Sequence, residues 1–131
     1  MRVTKIFHSP RFWLVGFLVW FGALWLLSSS SLAGAYIPPV ANFDKIEHFG
    51  FFFGGTGLLC AWLFCLNPAA PRWWAIFGIA VVVIGLVGWL DEYHQTFTPG
   101  RSGNDPHDWI ADFSGAVAGA LVFRRFHHWL K

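Results

Sequence analysis

Four apolar stretches, Phe12 to Leu32, Phe49 to Leu66, Trp73 to Leu90 and Trp109 to Phe123, leave this chain few ways to fold. The first three approach the ~20 residues that cross ~30 Å of hydrocarbon at 1.5 Å per residue, and the fourth, at about 15, crosses where the bilayer thins or flanking residues join it. Apolar residues make up 56% of the 131 and charged residues 12%. That charged share is about half the usual one, too little to cover the chain in water. Nine tryptophans suit the headgroup boundary, where an indole ring is buried and its N–H stays wet. The expected fold is an all-α membrane protein, a compact bundle of four transmembrane helices forming one domain over residues 1–131. A net charge of +2 with no basic stripe argues against nucleic acid as a partner.

The charges flanking these stretches give an orientation. Arg2, Lys5 and Arg11 precede the first, Arg72 separates the second and third, and Arg124, Arg125 and Lys131 follow the fourth, whereas Lys45 and Arg101 occupy the other two connections. Seven bases against two place both termini in the cytoplasm. All seven acids, Asp44, Glu47, Asp91, Glu92, Asp105, Asp108 and Asp112, lie in or beside the outward connections. Ala33-Gly34-Ala35 has the small-x-small form of a signal-peptidase site. The apolar run before it is longer than a signal core and carries Trp13, Trp20 and Trp25, so the first helix is expected to stay uncleaved.

Glycines stud the later stretches, and in the fourth Ala111, Gly115 and Gly119 recur every four residues. Such a face lets helix backbones approach closely where lipid gives no hydrophobic drive, either within the bundle or between copies in a homo-oligomer. Cys60 and Cys65, five apart on one helix, point to different faces and are expected as small buried hydrophobes.

The polar residues are grouped. Asp44, Glu47, His48 and Phe51 fall at helical spacing, Asp91 and Gln95 are four apart with Glu92 beside them, and Asp108 and Asp112 are four apart. Between the last two groups, Phe97 to Asn104 is a Pro-Gly turn carrying Arg101. Ionisable groups this close to hydrocarbon are paired, wet or functional. Arg101 is expected to pair with Asp91, Glu92 or Asp108, and Lys45 with Asp44 or Glu47. Asp108 is placed to cap the fourth helix. Taken singly, Asp44, Lys45, Asp105 and Asp108 are accounted for as interfacial pairs and caps; converging from three helices, the groups favour a ligand site. No metal or other cofactor is expected, because no HExxH or CxxC spacing is present and adjacent Glu47 and His48 diverge on a helix. His48, His94 and Glu92 are the residues to consider first for one. His94 and His107 are expected to solvate the loop, the serines from Ser28 to Ser31 to end the first helix, and His127 and His128 to have no partners.

Two segments resemble the VanZ-like family of small bacterial membrane proteins: Asp44-Lys45-Ile46-Glu47-His48-Phe49-Gly50-Phe51-Phe52, and the run from Asp91 through Gln95, Phe97 and Pro99-Gly100-Arg101 to Asp108, Asp112 and Gly115. The resemblance carries over Asp44, Lys45, His48, Glu92, Gln95, Arg101, Asp108 and Gly115. Asp112 stands where the family more often has Asn. It implies a multi-pass protein of the bacterial cytoplasmic membrane. The family takes its name from a protein linked to low-level teicoplanin resistance, but most members are simply small membrane proteins.

Residues and resemblance together give Asp44, Lys45, His48, Glu92, Gln95, Arg101, Asp108 and Asp112 as the expected ligand-binding set. The leading function is an extracytoplasmic polar cleft holding the headgroup of a membrane lipid or lipid-linked cell-wall precursor, with Arg101 and Lys45 on phosphate or carboxylate. The alternative is a membrane-embedded hydrolase or transferase of a lipid-linked substrate. There Glu92 or Glu47 would be general base, His48 general acid or metal ligand, and Arg101 the anion stabiliser. A third reading is a structural or oligomerising subunit.

Overall fold

A computed structural model describes residues 6–31 and 41–130. Arg2, Lys5, Lys131 and the Ala33-Gly34-Ala35 segment lie outside the described residues. Helix α1 (Pro10–Ser28) opens with proline in its first turn, where the missing N–H costs nothing. Helix α2 (Phe43–Leu66) stops one residue before Asn67-Pro68, since proline can neither donate nor continue the ladder. Helix α3 is Trp73–Gln95, and α4 (Pro106–Phe126) is followed by a 3₁₀ turn over His127–Leu130. The described residues are thus all-α, and three helices, α1, α2 and α3, are long and apolar enough to cross a membrane. The chain is a multi-pass membrane protein by this composition. Helix α4 has 21 residues but carries Asp108, Asp112, Arg124 and Arg125, and its crossing is not carried by apolarity alone.

The helices overrun the apolar stretches at the polar end. Helix α2 begins six residues before Phe49 and α3 continues five beyond Leu90. Apolarity marks how much of a helix hydrocarbon can cover, while the backbone ladder runs on into the interface and carries Asp44 to His48 and Asp91 to Gln95 with it. As expected, α1 ends in the serine run.

Helix α2 is the hub. Its Phe52, Leu59 and Phe64 are buried against Ile84 of α3 and Ala116 and Ala120 of α4. Trp20 of α1 lies over Gly55, where a side chain would collide with the indole, and donates its N–H to the Phe51 carbonyl at 3.0 Å. Close approach between α2 and α4 depends on Gly115 and Gly119. A methyl on Gly115 would overlap the Phe49 carbonyl oxygen, and one on Gly119 would come within 2.6 Å of that of Phe53. The small face seen in the sequence is therefore occupied inside the chain. Outward, Leu18, Val19, Leu26, Val82 and Leu86 are exposed, an apolar surface that only lipid covers without cost. Cys60 and Cys65 are free and buried. His127 differs from expectation: its ring packs on Trp73 and Phe64, and Nδ1 donates to the Arg124 carbonyl at 2.7 Å.

Candidate functional site

Successive helices run in opposite directions, so the end of α1, the start of α2, the end of α3 and the start of α4 share one end of the bundle. The loop from Thr96 to Asp105 folds back over that end. Gly100 turns it with φ 81°, and the Asn104 N–H bonds the Glu92 carbonyl at 3.0 Å. Gly103 lies so close to the end of α3 that a Cβ would sit 2.7 Å from the Glu92 carbonyl oxygen. Thr98 ties the loop to α1 through its hydroxyl, which donates to the Ser28 carbonyl at 3.1 Å.

One polar cluster forms between α2 and α4. Lys45 Nζ lies 2.7 Å from Asp44, 3.0 Å from Asp105 and 2.6 Å from Asp108. One turn deeper, His48 Nδ1 faces Asp112 Oδ1 at 2.8 Å. The carboxylate accepts, so the ring proton sits on Nδ1 and Nε2 is left toward Asp108 Oδ2, 3.9 Å away. Asp112 is fully buried (0% exposed) and owes its room to Gly88 of α3, where a Cβ would lie 2.8 Å from its Oδ2. Glu92 enters from α3, also buried at 3% exposure, and its Oε2 accepts from the Asp105 N–H at 2.8 Å. Oxygen atoms of Glu92 and Asp108 and a nitrogen of His48 all lie within 4.8 Å of one another.

A second chain of contacts runs from α3 into the loop. Gln95 donates to Asp91 Oδ2 at 2.7 Å, and its carbonyl accepts from Arg101 at 3.0 Å. Among the described residues Arg101 is thus joined to a carboxylate through an amide, a correction to the direct pairing expected with Asp91, Glu92 or Asp108. The reason is reach: the turn sets Arg101 over the last residue of α3, and Gln95 comes first. Lys45 pairs with Asp44 as expected and with Asp105 and Asp108 besides, while Glu47, on the exposed flank of α2, takes no part in that cluster.

Both networks border a recess of about 180 Å³. Glu47, His48, Asp91, Gln95, Arg101 and Ser28 give it polar walls, and Leu24, Leu27, Phe51 and Phe52 an apolar one. Of the expected ligand set, His48, Gln95 and Arg101 line it directly; Glu92, Asp108 and Asp112 stand behind His48, and Asp44 and Lys45 at the rim of the ion cluster. His94 is elsewhere. It stacks on Trp25 at 4.0 Å and donates Nε2–H to the Ser29 hydroxyl at 2.9 Å.

The cap of α4 is a further correction. Asp105, not Asp108, accepts the His107 N–H at 2.8 Å, because Pro106 takes the first helical position and fixes the cap one residue before it. That N–H and the Lys45 ammonium hold the Asp105 carboxyl down to about 2. Asp108 is freed to turn inward. Sequence reasoning also passed over Ser28, Asp91 and Asp105 as site residues. The four-residue spacing of Asp91 and Gln95 was the one signal for the amide link.

A sequence profile of the VanZ/LLP1 family matches residues 4–127, nearly the whole chain. The chain belongs to the VanZ/LLP1 family. No curated protein and no solved structure matches it. For this VanZ/LLP1 protein, then, function rests on the geometry of the polar end.

Proposed function

We propose that the recess binds the headgroup of an amphiphile, a membrane lipid or lipid-linked envelope component, at the extracytoplasmic face of the bacterial cytoplasmic membrane. The carrying observation is the lining of a single recess by a guanidinium, carboxylates and an apolar wall. Such a cavity suits a charged headgroup whose acyl chain or ring lies along Leu24, Leu27, Phe51 and Phe52. Lys45 is spent on three carboxylates, so among the described residues that line the recess Arg101 is the base left for an anion. Glu47 and Asp91 beside it favour a headgroup that also carries a cation, as a phosphoethanolamine or an aminoacyl group does. Seven of nine bases flank the opposite ends of the helices, which supports termini in the cytoplasm with α4 completing a fourth crossing.

Binding of phosphoethanolamine and phosphoglycerol lipids to the full chain in nanodiscs, read by native mass spectrometry, tests this. Arg101→Ala should weaken both by about tenfold or more, as loss of a charged hydrogen bond does. Glu47→Gln should erase the preference for phosphoethanolamine. Unchanged binding of every lipid by Arg101→Ala would rule the reading out.

The closeness of Glu92, Asp108 and His48 favours one second reading, acid–base hydrolysis or transfer on a lipid-linked substrate. Glu92 would be the base, His48 the acid and Arg101 the anion stabiliser. Turnover of a lipid phosphate lost in Glu92→Gln would support it, and a purified protein that turns over none would end it.

A further inference from the structure

The ion cluster is unbalanced. Five carboxylates, Asp44, Glu92, Asp105, Asp108 and Asp112, meet one ammonium, Lys45, and one imidazole, His48. Lys45 donates hydrogen bonds to Asp44 and Asp105 and forms an ion pair with Asp108 Oδ1 at 2.6 Å. Deeper in, Glu92 (3% exposed) and Asp112 (0% exposed) are buried, and Glu92 Oε1 and Asp112 Oδ2 have no hydrogen-bond partner among the described residues. Negative charge in so dry a place is costly unless a proton neutralises it or a cation shares it.

The donors are already arranged around a common point. His48 Nδ1 lies 2.8 Å from Asp112 Oδ1, which leaves Nε2, 3.9 Å from Asp108 Oδ2, as the ring position for a metal, whose binding would displace any proton held there. This is the carboxylate–imidazole arrangement that stands behind metal-ligating histidines and raises their basicity. Bonds of 2.0–2.2 Å to a metal put donors roughly 3–3.6 Å apart. His48 Nε2 and Asp108 Oδ2, at 3.9 Å, need to close by about 0.3–0.9 Å to reach that spacing. His48 also borders the recess, which gives an ion its way in.

We propose that His48, Glu92 and Asp108 bind one divalent cation of borderline hardness, zinc or manganese, with Asp112 as the positioning residue behind the imidazole. One nitrogen and two carboxylates suit these ions better than an all-oxygen set suited to magnesium or calcium. Linear spacing conceals the site, because each ligand comes from a different helix: α2, α3 and α4. His94, considered with His48 and Glu92 from the sequence, is not a ligand. The site stands beside a headgroup in the recess; with a reacting substrate there, His48 and Glu92 would act as ligands of the ion and not as free acid and base.

The test is calorimetric titration of zinc and of manganese into chelator-stripped full-length protein in detergent. One ion per chain should bind. His48→Gln and Glu92→Gln should each weaken binding by roughly tenfold or more, and Asp112→Asn by about 10–100-fold, as second-shell losses do. His94→Ala should bind like wild type. The 15N signature of the His48 tautomer should shift in Asp112→Asn and stay put in His94→Ala. Absence of saturable binding of both ions by wild type, or wild-type affinity in His48→Gln, overturns the proposal. Should the ligand variants lose their helical circular dichroism, X-ray absorption of the zinc-loaded wild type decides. A shell of oxygens with one imidazole supports the site, and a shell with none or with two overturns it.

Discussion

Adding one methyl group at Gly115 should dismantle the polar end from a distance. Gly115 rides against the α2 backbone, where a Cβ would overlap the Phe49 carbonyl oxygen and lie 3.1 Å from the Phe53 nitrogen. Neither neighbour is a flexible side-chain tip, so relief requires the helices to part by on the order of 1 Å. Overpacking of this kind costs about 1–3 kcal/mol. The same separation carries Asp112, one turn earlier on α4, out of reach of His48, now 2.8 Å away. Losing a buried hydrogen bond to a charged group adds about 1–3 kcal/mol. Against these stands the better helix propensity of alanine, up to about 1 kcal/mol. The net expectation for Gly115→Ala is a loss of about 1–5 kcal/mol. Gly78→Ala is the matched control, since a Cβ there meets nothing within 4 Å, and it should change stability by between zero and about +1 kcal/mol. Unfolding in dodecyl sulfate mixed micelles, followed by tryptophan fluorescence, reads both. Equal midpoints for the two variants would refute the close-approach account of α2 and α4.

Two other outcomes follow from the site. Asp105 has a folded value of about 2, below an unfolded aspartate's ~3.9. The stabilisation it gives is therefore complete above about pH 4 and fades as pH falls toward 2; a 13C-carboxyl titration should show that low midpoint, and Lys45→Ala should raise it. Gln95→Leu removes the amide between Asp91 and Arg101 and leaves both without that partner. It should cost about 1–3 kcal/mol of stability and weaken headgroup binding in the nanodisc assay, and wild-type values in both would show that the relay carries nothing.

The membrane-crossing character of α1 to α3 was legible because a run of apolar residues of the right length has few other uses. So was the Ala111-Gly115-Gly119 face, whose close packing follows from the absence of side chains. The partners of charged groups were legible only where local spacing decides them, as for Asp91 with Gln95 or Lys45 with Asp44. Arg101 and His94 were misplaced in advance because their neighbours depend on how the 96–105 loop folds back and on which side of α3 faces α1. Asp112 illustrates both sides: its four-residue spacing from Asp108 was visible, but its meeting with His48 requires Gly115 to bring α4 against α2 and Gly88 to leave it room on α3.

Solid-state NMR on the full chain in lipid bilayers reaches the convergence most directly, through the dipolar coupling between the His48 Nδ1 nitrogen and the Asp112 carboxyl carbon. The N···O separation of 2.8 Å predicts a weak but measurable coupling that persists in lipid and vanishes in Gly115→Ala. A wild-type spectrum without it would mean that α2 and α4 stand apart at this end, which contradicts the convergence of the polar groups.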